Sequence, residues 1–315
     1  MSRPADNQAM SILVTHEAAA PVARLSPEVV AGRLHECARL PSLSSINEVL
    51  RELLQAEQRY ITQICDVIRR DPGVTTRLLR LVNAVYYGLS TPVASIEEAV
   101  FFLGMRQLRQ LVMTTPVIEE LQKMTGHVIF AWRDFWQHCI GTAILTNEIL
   151  GKLQPSNDET GYIAGLLHDV GKIVMAVEFP DHFALIHSRA QASPQDILEL
   201  ETSVLGMNHC EMGALYLQNH RLPDLMVQCA LYHHQAPPSG PLVPMVAAVQ
   251  LADLLMLQSG VGQSAEPAEA TTAAWQETQA WRTLFPDCLE AEKKVIRTNL
   301  LRSLERLPSI LEGLV

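Results

Sequence analysis

From Ser26 to the C-terminus the apolar residues recur with the period of an α-helix. No segment sustains the period-two alternation of strand-forming residues that a half-buried strand requires. Leu50, Leu53 and Leu54 recur at helical spacing, as do Ile61, Ile64, Val67 and Ile68. Helix starts punctuate the pattern. Asp71-Pro72 and Ser193-Pro194 each place a capping side chain ahead of a proline suited to the first turn. Ser95 followed by Glu98 has the spacing of a capping box, and Gly104 separates the helix it opens from 105–121. The periodicity predicts further helices over 131–152, 158–176, 194–204, 208–219, 222–234 and 242–258, with terminal helices over 273–283 and 287–312. The fold class is therefore all-α.

Two segments break the pattern. Residues 1–25 are Ala-rich and without clear periodicity, and read as a mobile tail. Residues 259–272 are rich in Ser, Gly, Ala, Glu and Pro, and read as a linker or long loop.

Charge and cysteine content exclude several function classes. The formal net charge of −10 argues against direct nucleic-acid binding. The longest apolar run, Leu242 to Leu257, is interrupted by Gln250 and Asp253 and predicts no membrane span. The six cysteines are scattered, with no Cys-x-x-Cys pair, as suits a reducing cytoplasm rather than a disulfide framework. The N-terminus lacks a charged start followed by an apolar core, so no signal peptide is expected. A cytoplasmic protein is the expectation.

The chemistry centres on His168 and Asp169, adjacent after the apolar run Gly165-Leu-Leu. An imidazole nitrogen beside a carboxylate that can bridge two ions suits Fe, Mn, Zn, Ni or Co rather than Ca. Further ligands must come from elsewhere. His138 lies on the predicted helix 131–152, with Asp134 one turn before it on the same face. His209 stands near the start of a helix, and His233-His234 near the end of another. Asp253 is a carboxylate among Leu and Ala, which calls for a cation or a hydrogen-bond partner. Taken singly, each has a bland reading: a core histidine, a first-turn aspartate, a solvated Lys172. The joint pattern outweighs them. His182, His187, His220, His16, His35 and His127 have no such company and are assigned no ligand role.

His138, His168-Asp169 and Asp253 resemble the H…HD…D pattern of the HD superfamily of metal-dependent phosphohydrolases. Two stretches narrow the resemblance. One runs through Leu40-Pro-Ser-Leu43, Asp71-Pro72, Asn83, Tyr86-Tyr87-Gly88, Ser95-Ile96 and Leu103-Gly104. The other runs through Gly165 to Lys172, Glu201, Leu205-Gly-Met-Asn-His209, Gly213, Leu222-Pro223, His233-His234 and Ala252-Asp253. Together they look like the HDOD domain, the HD-related output domain of bacterial signalling proteins. The resemblance implies two helical lobes, an N-terminal one at 26–125 and an HD-like metal-site bundle at 126–258, followed by C-terminal helices within 273–315. It also implies a regulatory role exercised through a protein partner.

At the ligand positions the chain also resembles the HD-GYP phosphodiesterases. That comparison implies one metal held by His138, His168, Asp169 and Asp253. It implies a second held by Asp169 as bridge with His209, His233 and His234. Asp134 falls where an extra acidic ligand can stand, and Lys172 would face a phosphate. The Gly-Tyr-Pro signature is absent, because Gln235-Ala-Pro-Pro-Ser-Gly240 follows the histidine pair. Two readings result. The first is a signalling protein with a mono- or dinuclear divalent transition-metal site. The second is a metal-dependent phosphohydrolase, acting on a nucleotide or cyclic dinucleotide, with Asp169 and Lys172 as its catalytic groups.

Overall fold

The structure is a computed structural model that describes residues 22–37, 82, 93, 95, 98–99, 101–104, 130–153, 160–192, 196–237, 239–262 and 274–314. Among these residues all regular structure is helical. Most of the first-lobe motifs, from Leu40 to Tyr87-Gly88, lie outside the described residues. So do the Asp71-Pro72 and Ser193-Pro194 helix starts, residues 105–121, most of 1–25 and most of 259–272. The described residues between 93 and 104 follow the predicted pattern: Ser95 Oγ accepts from the Glu98 amide at 3.1 Å, and Gly104 has φ 75°.

Helix α1 (Pro27–Glu36) begins as its sequence dictates, with Ser26 Oγ accepting from the Val29 amide and a proline in the first turn. It buries Val30 and Leu34. The centre of the molecule is built from α2 (Trp132–Leu153), α3 (Thr160–Leu167) and α9 (Val243–Ser259), which pack on one another. α9 buries residues on every side, among them Val246, Val249, Leu251, Ala252, Leu255 and Met256. A helix apolar all round belongs in the middle of a fold. Asp253 is buried within it.

The predicted helix 158–176 is two helices. α3 ends at Leu167, and α4 (Val170–Glu178) starts after a turn at His168 and Asp169, where Asp169 has φ −99° and ψ 15°. On a continuous helix these two side chains would diverge by about 100°. The turn removes that constraint.

α5 (Pro180–Ala192) was not anticipated from the periodicity; it buries only Phe183, Ile186 and Ala190, too sparse a stripe to stand out. α6 (Ile197–Leu205) is capped by Asp196, whose Oδ1 accepts from the Leu198 and Glu199 amides. Gly206, at φ 73°, ends α6 in the left-handed conformation that favours glycine and turns the chain into α7 (His209–Asn219). α8 (Asp224–Tyr232) follows.

α4 and α7 touch backbone to backbone. A Cβ on Gly171 would lie 1.9 Å from the carbonyl oxygen of His209 and 2.8 Å from the amide nitrogen of Gly213. Only glycine lets the two helices approach this closely, and that approach sets α7's first residue against the His168–Asp169 turn. A short 3₁₀ helix at Trp275–Glu277, α10 (Gln279–Leu284) and α11 (Glu290–Leu314) complete the fold. α10 and α11 both pack on α9, and α11 also on α2.

Candidate metal centre

Five separate pieces of backbone deliver the sequence-predicted ligands to one place. His138 comes from α2, His168 and Asp169 from the turn between α3 and α4, and His209 from the first residue of α7. His233 and His234 come from the turn after α8, and Asp253 from α9. Local chemistry fixes each. Asn208 and Glu211 form a reciprocal capping box at 3.0 Å in both directions, which pins the start of α7. Gln250 donates to the carbonyls of Tyr232 and Gln235, at 2.7 and 2.8 Å, and so ties the His233-His234 turn to α9.

The donor atoms fall into two groups that share Asp169. In the first, Nε2 of His138 lies 3.3 Å from Nε2 of His168 and 3.0 Å from Asp253 Oδ1. Asp169 Oδ2 stands 3.5 Å from His168 Nε2 and 3.8 Å from His138 Nε2. In the second, Nε2 of His209 lies 3.3 Å from Nε2 of His233, and Asp169 Oδ1 is 3.4 Å from both. One carboxylate thus presents one oxygen to each group. Lys172 Nζ holds it from the side, 2.9 Å from Oδ2.

The arrangement fits metal ions. Two nitrogens each about 2.05 Å from a tetrahedral ion stand about 3.3 Å apart, and a nitrogen–oxygen pair about 3.4 Å apart. The second group has edges of 3.3, 3.4 and 3.4 Å. The ring tautomers fit as well. Nδ1 of His168 donates to Gly165 O at 2.6 Å, Nδ1 of His233 to Ala230 O at 2.8 Å, and Nδ1 of His209 to Glu201 Oε2 at 2.8 Å. Each bond places the proton on Nδ1 and leaves the Nε2 lone pair facing inward, as ligating histidines require. Asp169 Oδ1 is buried with no hydrogen-bond partner among the described residues. An uncompensated buried carboxylate oxygen is costly unless a cation takes it up.

Electrostatics reinforce the pattern. Burial pushes the Asp253 carboxyl up, but His138 and His168 outweigh it and hold the group well below the usual carboxylate range. Burial disfavours the charged form of His138, yet Asp253 beside it raises its pKa. Burial likewise opposes ionisation of Asp169, and Lys172 and His168 overcome it.

Asp134 is half-buried in the first turn of α2 and, among the described residues, joins none of the His/Cys/Asp groups with metal-binding spacing. Lys172 stands beside Asp169, one turn into α4. Two neighbours of the cluster were given no ligand or orienting role by the sequence. Glu201 orients His209, and its signal was a carboxylate in the apolar run Leu198-Glu-Leu-Glu201. Cys210 lies 3.9 Å, through Sγ, from Nε2 of His233. Burial raises the Cys210 thiol, but His209 and His233 outweigh it and bring the pKa down to about 6. A lone cysteine beside a histidine carried no sequence signal.

The fold and this shared cluster define an all-helical protein with a buried two-part histidine–aspartate centre. The HDOD domain model matches residues 40–236, and the chain belongs to the HDOD family. An HDOD domain protein of unknown function from Geobacter sulfurreducens is similar in structure, with a TM-score of 0.67, 21% identity, and 92% of this chain and 93% of that one covered. A candidate phosphohydrolase from Shewanella amazonensis gives 0.60 and 23%, over 89% of this chain and 97% of that one. An uncharacterised protein of Treponema pallidum is 27% identical over 217 residues, which make up 66% of this chain. The match spans only 39% of that relative's length. No helix among the described residues is long and apolar enough to cross a membrane.

Proposed function

We propose that this chain is a bacterial, cytoplasmic signalling protein of the HDOD type. Its buried centre holds one or two divalent transition ions (Fe, Mn, Zn or Ni), and its output is a surface offered to a regulatory protein partner. The observation that carries this reading is the burial of the centre. The side chains of His138, His168, Asp169, His209, His233 and Asp253 are at most 6% exposed, and only His234, at 20%, reaches towards solvent. Ligand side chains this enclosed suit an ion that serves structure or sensing. The scattered cysteines, with no Cys-x-x-Cys pair, suit a reducing compartment.

His138, His168, Asp169 and Asp253 would hold the first ion, and Asp169, His209 and His233 the second. Bound ions would supply Lewis-acid polarisation and lower the pKa of a water. The second reading, a phosphohydrolase acting on a nucleotide or cyclic dinucleotide, draws on those powers and on one further observation. Lys172 Nζ, anchored to Asp169 at 2.9 Å, stands where a cation would stabilise charge on phosphoryl oxygens.

The test joins elemental analysis of the purified chain to a hydrolysis screen of nucleotides and cyclic dinucleotides, with wild type beside Asp169→Ala. Bound ion without turnover supports the signalling reading. Turnover that Asp169→Ala abolishes replaces it with the hydrolase reading. Failure to bind any divalent ion, after both purification and reconstitution, sinks the metal centre.

A further inference from the structure

Cys210 is the second residue of α7 and is 1% exposed. Its Sγ and one ring nitrogen from each of His209, His233 and His234 all lie within 4.8 Å of one another. The other buried cysteines, Cys139 and Cys229, join no such group among the described residues. We propose that Cys210 is a thiolate donor to the second ion position. With Asp169 Oδ1 and Nε2 of His209 and His233 it completes a four-donor shell that selects a thiophilic ion. The proposal rests on the reading of the cluster as a metal centre.

The separations suit this role. A sulfur and a nitrogen on one tetrahedral ion, at about 2.3 and 2.05 Å from it, stand about 3.6 Å apart. The Sγ to Nε2 distance at His233 is 3.9 Å. His234, the competing fourth donor, stands between the two groups, with its Nδ1 3.8 Å from Asp253 Oδ2, and it is the cluster's most exposed ligand candidate.

As the sulfur–ion bond forms, the S–H bond breaks and its proton leaves to solvent. A thiolate beside two imidazoles and a carboxylate favours Zn²⁺, Co²⁺ or Fe²⁺ over Mn²⁺ and Mg²⁺. Four protein donors also close a tetrahedral shell, which marks a structural rather than a catalytic ion. The second position would then stabilise the fold around α7 and α8 and leave no coordination site for a substrate.

The experiment strips the full chain with a chelator and reloads it with Co²⁺. Binding is followed by equilibrium dialysis, and the ligand set by absorption. An intense sulfur-to-cobalt charge-transfer band in the near ultraviolet is expected. Cys210→Ser should lose the band and keep bound cobalt at the first position; His234→Ala should keep the band. Cobalt uptake with only weak visible bands, or a band that survives Cys210→Ser, overturns the Cys210 assignment and leaves the metal centre standing. No uptake overturns both. X-ray absorption of zinc-loaded wild type needs no variant. A sulfur scatterer at about 2.3 Å supports the assignment, and a shell of nitrogen and oxygen alone overturns it.

Discussion

Glu201 Oε2 accepts two hydrogen bonds from one residue, His209: one from the backbone N–H and one from Nδ1–H, each at 2.8 Å. Glu201 therefore sets the position of α7's first residue and the tautomer of its ring together. Glu201→Ala should weaken ion binding at the second position by about 10–100-fold, the usual cost of losing a partner that orients a ligand. It should also lower stability by about 1–3 kcal/mol, because two buried donors lose their acceptor. Titration against a chromophoric chelator and a denaturant melt measure the two effects. An unchanged affinity would show that His209 needs no such orientation.

Gly171→Ala should be among the most damaging single-atom changes in the chain. The new methyl would meet the His209 carbonyl oxygen at 1.9 Å, and backbone cannot rotate aside as a side chain can. A loss of about 3 kcal/mol or more is expected, with weaker ion binding, because α4 and α7 must separate. Gly32→Ala is the control. It lies within α1 with nothing within 4 Å of the new methyl, and should gain about 0.5–1 kcal/mol. Equal effects from the two substitutions would contradict the close approach of α4 and α7.

The shared carboxylate predicts a difference in ion content. Asp253→Ala should remove the ion of the first group and spare the second. Asp169→Ala should deplete both, because Oδ1 faces one group and Oδ2 the other. Elemental analysis of the two variants settles it. Equal depletion by both would contradict the division of the cluster.

Stability should respond to pH in opposite senses with and without ions. Asp253 is held well below its ordinary pKa of 3.8, so its contribution is full above about pH 4 and is lost as pH falls through the folded value. His138 and His233 are raised, and their contributions are full below about pH 6.5 and lost as pH rises. For His233, burial works against the charged form, but Cys210 and Asp169 prevail and carry its pKa to about 9. Three raised histidines, His138, His209 and His233, outweigh the opposing Cys210 thiol, whose lowered pKa adds stability as pH rises above about 6. The ion-free protein should therefore be most stable between about pH 4.5 and 6.5 and weaken towards pH 9. Ions need neutral imidazoles, so their stabilising effect should grow over the same range. Melting temperatures with and without a chelator, from pH 5 to 9, should diverge as pH rises; convergence would falsify the ligand assignment.

Much of this was legible in the sequence because helical periodicity and capping residues are local signals. The predicted helices 131–152, 208–219 and 242–258 appear as Trp132–Leu153, His209–Asn219 and Val243–Ser259. The coming together of His138, His168, Asp169, His209, His233 and Asp253 followed from their joint occurrence. What escaped was non-local or carried by backbone. The turn that parts α3 from α4 at His168–Asp169 has no proline to announce it, since Gly171 serves helix contact instead. Glu201 and Cys210 take their meaning only from what α7 and α8 bring beside them. Asp134 shows the converse: helical spacing placed it one turn before His138, but among the described residues it joins no donor group.

The donors of the centre are contributed by α2, the α3–α4 turn, α7, the turn after α8, and α9. A nascent chain gathers such far-separated pieces only after its long-range helix contacts have formed, the slow part of folding. A chain in which only sequence neighbours had come together, such as His168-Asp169, His209-Cys210 or His233-His234, would offer an ion two donors at a time and grip it weakly. Tight ion binding would then mark the chains whose central helices have docked in full.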